Sequence, residues 1–111
     1  MPAARAHSRT VRHACELLGT EIKQGRLERR WPIRELAERA GVTPRTVVRV
    51  EKGDPTVGIG ICFDLAVLCG VSLFDTDRAG LERELHRSRD RLSLLPTAAR
   101  RPAPPDDDDG F

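Results

Sequence analysis

The sequence predicts an all-α fold of about five short helices. Three observations lead there. Apolar residues recur every three or four positions along most of the chain, which is the period of a helix face. Proline, glycine and threonine fall between those stretches at spacings that start and stop helices. No segment alternates as a half-buried strand does. The 111 residues fit one domain, and 39% hydrophobic content supports a small core.

Residues 1–9 are basic and unpatterned and read as a disordered arm. Across 10–30, Val11, Cys15, Leu18 and Ile22 form an amphipathic helix that Gly19 and Gly25 weaken. Trp31-Pro32 ends it, because a residue before proline disfavours the α region. Pro32 then opens a second helix. Ile33, Leu36, Ala37 and Ala40 are its apolar stripe and Gly41 its stop. Thr43 is a good cap and Pro44 fits the first position of a third helix, with Val47 and Val50 inward and Gly53 at the end.

Asp54-Pro55 marks a turn. Thr56 is the expected cap of a fourth helix to about Cys69, burying Ile61, Leu65, Ala66 and Leu68. Gly70 ends it, and Val71, Leu73 and Phe74 form an apolar linker. Asp75 is the expected cap of a C-terminal helix over 76–95. There Leu81, Leu85, Ser88, Leu92 and Leu95 are spaced as a short heptad seam with one polar interruption. Two readings stay open: a dimer seam, or leucines packed on their own domain. Residues 96–111, PTAARRPAPPDDDDGF, bury too little apolar surface to order themselves and read as a disordered acidic tail.

The formal net charge is only +2, but it is unevenly spread. Residues 1–52 carry 12 Lys and Arg against 6 Asp and Glu, whereas 53–95 carry 5 against 7 and 96–111 carry 2 against 4. A basic first half suits a polyanion partner. Of the 19 basic residues 17 are Arg, which fits bidentate contact with phosphate and base and fits codon usage equally. No stretch approaches the roughly 20 apolar residues of a membrane span, and no secretory signal opens the chain, so a cytoplasmic protein is expected. Cys15, Cys62 and Cys69 are odd in number, form no CxxC pair and read as small core hydrophobes. His7, His13 and His86 are scattered, so no metal or cofactor is expected. No nucleophile–base constellation occurs. Gly58 and Gly60 lie in an apolar stretch without Lys, which is no phosphate loop. An enzyme is not expected.

The informative stretch is 33–53, IRELAERAGVTPRTVVRVEKG. Two short helices joined by a tight turn at Gly41 make a helix-turn-helix pattern, with small Ala37 allowing a close crossing. The outer face of the second carries Arg45, Thr46, Arg49 and Lys52. In such a motif that face enters the major groove, where Arg reads guanine O6 and N7 with two hydrogen bonds.

These residues resemble the Cro/cI (Xre-type) helix-turn-helix domain of bacterial and phage repressors. The resemblance covers roughly residues 15–75. It implies a five-helix, lambda-repressor-like DNA-binding domain over 10–75, with an additional C-terminal helix region and tail. It implies a helix-locking ion pair between Arg26 and Glu51, with Arg26 also facing phosphate. It carries Thr43 over as a phosphate contact and Arg45, Thr46 and Arg49 as base readers. Pro44 departs from the Gln often found there, so the adenine contact is expected to be lost or replaced by apolar contact with a thymine methyl. Arg34 and Lys52 are the expected phosphate clamps. The loop Gly53-Asp54-Pro55-Thr56 lacks the basic residues of many relatives, and Thr56 at the head of the fourth helix is the remaining phosphate contact there.

A narrower resemblance joins residues 28–75 to HipB-type antitoxins, carried by the DPTV-G loop and the LFD segment. It implies a homodimer that binds double-stranded operator DNA, represses its own operon and binds a HipA-type Ser/Thr kinase toxin. A stand-alone Xre-family repressor and a protein-interaction adaptor are the alternatives. In the tail, Asp106, Asp107, Asp108, Asp109 and Phe111 form an acidic cluster with one aromatic anchor. It suits a basic partner, competition for the chain's own basic face, or simple solubility.

Overall fold

The computed structural model describes residues 6–99, 101 and 102. They form five helices: α1 (Arg9–Glu28), α2 (Ile33–Ala40), α3 (Pro44–Glu51), α4 (Ile59–Leu68) and α5 (Arg78–Ser93). The only β-type pairing among them is one isolated bridge, Leu73 with Thr76. Four helices therefore fall in 10–75, and the fifth is the C-terminal helix itself. The chain divides into two compact units, one ending at Asp77 and the other beginning at Arg78.

In the first unit, Ile22, Leu36, Ala37, Val47, Val50, Leu65, Ala66 and Cys69 form the core. Each of α1 to α4 contributes to it or borders it. Two glycines set the crossings of α1. A Cβ at Gly19 would strike the carbonyl oxygens of Val50 and Glu51 in the last turn of α3, and one at Gly25 would strike the carbonyl of Cys69. The helix-weakening glycines are thus the points where α1 meets its neighbours backbone to backbone.

Several boundaries differ from expectation. Arg9, assigned to the arm, opens α1, and Ser8 caps it by accepting from the Val11 amide at 3.2 Å. Val11 is exposed, and on α1 full burial falls instead on Gly19, Ile22, Gly25 and Arg26. Thr56 does not cap α4: its hydroxyl bonds to Asp54, and Gly58 is the residue before the helix. Asp75 does not cap α5. Phe74 and Asp75 both sit at positive φ (55° and 61°) in a tight turn, closed by the Thr76 amide on the Leu73 carbonyl at 3.2 Å. Phe74 places its ring edge-on to Phe63, with centroids 6.1 Å apart.

The second unit is α5 with the chain that follows. Leu85, Leu92 and Leu95 are exposed and Leu81 is half-buried. Residues 1–5 of the arm and the tail residues Asp106, Asp107, Asp108, Asp109 and Phe111 lie outside the described residues. No helix among the described residues is long and apolar enough to cross a membrane.

Candidate nucleic-acid interface

The turn between α2 and α3 follows from three residues. Gly41 takes the left-handed conformation (φ 70°) that a Cβ disfavours, which lets the Val42 amide return to the Ala37 carbonyl at 3.0 Å. Thr43 is extended (φ −81°, ψ 154°), and its Oγ1 accepts from the Thr46 amide at 3.2 Å. Pro44 then takes the first helical position, where its missing N–H costs nothing. The hydroxyls of Thr43 and Thr46 lie 3.0 Å apart, so each fixes the direction of the other.

Burial of Val47 and Val50 orients α3. Arg45 and Arg49, four residues apart, consequently share its outer side, and Lys52 follows one turn on. Arg45 and Lys52 are exposed, as is Arg34 on α2. None of these three has an ion pair with a described residue. Thr46 is half-buried.

Arg26 is buried, and each of its three nitrogens has a partner. Its Nε donates to Glu51 Oε2 at 2.6 Å, Nη2 to Glu51 Oε1 at 3.0 Å, and Nη1 to the Trp31 carbonyl at 2.9 Å. The two side chains of the pair are each 6% exposed. Hydrogen bonding to Glu51 raises the Arg26 pKa against the opposing effect of burial, so the guanidinium stays charged. One side chain therefore ties α1, the α1–α2 joint and the end of α3 together. An Arg this enclosed has little reach left for a phosphate.

Arg49 is also partnered. Nε donates to Asp54 Oδ2 at 2.8 Å and Nη2 to Thr56 Oγ1 at 2.8 Å. Asp54 Oδ1 accepts in turn from the Thr56 amide at 2.8 Å and its hydroxyl at 2.6 Å. The Thr56 hydroxyl and then the Arg49 guanidinium hold the Asp54 carboxyl well below the usual carboxylate range. Thr56, expected at phosphate, is committed to this network. The acidic loop that breaks the basic pattern has a defined local task.

Sequence reasoning missed a second arginine. Arg29 Nη1 donates to the carbonyls of Gly25 at 3.1 Å and Cys69 at 2.9 Å, which satisfies a carbonyl at the end of α4. Its guanidinium and that of Arg39 lie 5.8 and 4.2 Å from the Trp31 ring centroid. The partner of Arg29 is 40 residues away, and only the Arg-rich end of α1 hinted at it. Burial pushes the Cys69 and Cys62 thiols up, as suits packed sulfurs rather than reactive ones. No group of three or more His, Cys, Asp or Glu among the described residues is placed to hold a metal ion.

Residues 22–75 match the model of the helix-turn-helix family, a span that runs from the middle of α1 to the turn after α4. No curated protein and no solved structure gives a significant match to the chain. The matched segment is an all-helical, lambda-repressor-like helix-turn-helix domain.

Proposed function

We propose that this helix-turn-helix domain binds double-stranded DNA with α3 in the major groove, and that the chain is a transcriptional regulator. The observation that carries this reading is the α2–turn–α3 unit at 33–51, inside the matched family segment, with Arg45 and Arg49 on its outer side. Arg45 and Arg49 read base edges, and Thr46 supports them. Arg34, Thr43 and Lys52, each exposed, contact phosphate. Arg26 and Thr56 serve this face through their internal partners.

Selection from a random duplex pool tests the reading. The full chain enriches a defined sequence, and Arg45→Ala weakens binding to it by about 1–3 kcal/mol and relaxes one base position. Equal retention of all duplexes by wild type and Arg45→Ala would defeat it.

A finer reading rests on the residues DPTVGIG at 54–60. In it the regulator is a homodimeric antitoxin and autorepressor of a HipA-type Ser/Thr kinase. The exposed Leu85, Leu92 and Leu95 support self-association. Tagged protein expressed from its own operon then co-purifies a kinase-like partner. A homodimer recovered alone would leave the stand-alone repressor as the reading. The acidic residues 106–109 are the proposed contact for a basic partner.

A further inference from the structure

A guanidinium has two fork-shaped edges, one between Nε and Nη2 and one between Nη1 and Nη2, and each can hold a pair of acceptors. In Arg49 the first edge is occupied. Nε reaches Asp54 Oδ2 and Nη2 reaches Thr56 Oγ1, both at 2.8 Å. The grip is closed on itself. Thr56 accepts from Arg49 while donating to Asp54 Oδ1 at 2.6 Å, and the Asp54 amide donates to the Arg49 carbonyl at 3.0 Å. The second edge, with one N–H on each terminal nitrogen, bonds no described residue.

Two consequences follow. The ordering cost of a long side chain is met within the protein rather than on binding. The Asp54 carboxylate also offsets the arginine's charge, which lessens its pull on phosphate but leaves its directional donors intact. A held, charge-compensated fork suits a base edge better than a phosphate.

We infer that Asp54 and Thr56 are positioning residues for DNA sequence specificity: they hold Arg49 by its Nε–Nη2 edge so that its Nη1–Nη2 edge meets the O6 and N7 acceptors of one guanine. This rests on α3 being the groove-docking helix. A held fork must first break its bonds to Asp54 and Thr56 to reach a nearby phosphate, so a mismatched base is less readily compensated. Without Asp54 the arginine gains both mobility and net charge. It then serves any sequence.

The test uses the full chain and the duplex that wild type enriches from a random pool. One guanine in that duplex falls to Arg49: Arg49→Ala loses the preference for it, and 7-deazaguanine there weakens wild-type binding on the order of tenfold. Asp54→Ala and Thr56→Val each cut the guanine-over-adenine preference at that position by a similar factor, while affinity for random duplex holds or rises. Thr56→Ser keeps the preference. Melting of each variant is followed by Trp31 fluorescence, and Thr56→Val carries the test if Asp54→Ala fails to fold. Wild-type base preference in the two variants, with only a lowered melting temperature, reduces the network to a loop staple and overturns the inference. A wild-type chain that enriches no sequence strikes the DNA-binding reading itself, and the inference falls with it.

Discussion

Replacing Glu51 by Ala removes both carboxylate oxygens from Arg26 and leaves the guanidinium one acceptor, the Trp31 carbonyl at 2.9 Å. The magnitude depends on burial. An exposed pair contributes roughly 0.2–1 kcal/mol, whereas stripping one partner from a buried pair costs about 3–5 kcal/mol. With both side chains 6% exposed, the buried regime applies. Each kcal/mol lowers the melting temperature of a domain this size by roughly 4–8 °C, so Glu51→Ala drops it by at least about 12 °C. Urea unfolding read by Trp31 fluorescence and far-ultraviolet circular dichroism gives the free energy directly. Glu35→Ala is the internal control. Its pair with Arg39 is 46% and 41% exposed, and its loss costs under about 0.5 kcal/mol. The joint change Arg26→Met with Glu51→Leu recovers part of the deficit, because no lone buried charge remains. It falls short by about 1–3 kcal/mol for the Trp31 carbonyl left without its donor. A Glu51→Ala protein as stable as Glu35→Ala would refute the burial argument.

Gly25→Ala destabilises by about 1–3 kcal/mol through its clash with the Cys69 carbonyl. Gly60→Ala, with nothing within 4 Å of its new Cβ, gains up to about 1 kcal/mol in the same urea assay. Arg34→Ala or Lys52→Ala weakens binding to every duplex alike and lowers the slope of log affinity against log salt by about 1, measured by titration across salt concentrations. Asp54 has a lowered pKa in the fold, so its contribution is present above its ordinary value of about 4 and fades as pH falls through the folded value. The stability gap between wild type and Asp54→Asn therefore narrows from pH 5 towards pH 3, and a gap that widens would contradict the network.

The legible parts of the fold were those written in local chemistry. Gly41, Thr43 and Pro44 act within a few residues of themselves, so α2 and α3 came out within a residue of their ends. Thr56 is ambiguous in the sequence because a threonine before an apolar run has two local options. Its hydroxyl took the Asp54 carboxylate rather than the head of α4, and a rule about caps cannot see that competition. Helix propensity alone marks Gly19 and Gly25 as weak points of α1, whereas their meaning lies in the backbones of α3 and Cys69 across the core. At the candidate site, the outer side of α3 followed from periodicity. The Arg26–Glu51 pair came from the family resemblance and not from spacing. The grip on Arg49 was missed although Asp54 is only five residues on, because Asp-Pro reads first as a turn.

The turn at Phe74 and Asp75 has a consequence in time. Left-handed backbone in residues with a Cβ costs roughly 1–2 kcal/mol each, less for Asp, and the turn is closed by one amide bond at 3.2 Å with the Phe74 ring resting on Phe63. Segments that begin with such a debt open locally long before the core does. The Thr76 amide accordingly trades its hydrogen for solvent deuterium early. The Val71 amide, bonded at 2.8 Å to the carbonyl of buried Ala66, trades late. Five residues of chain thus span the passage from the slowest motions of the domain to some of its fastest.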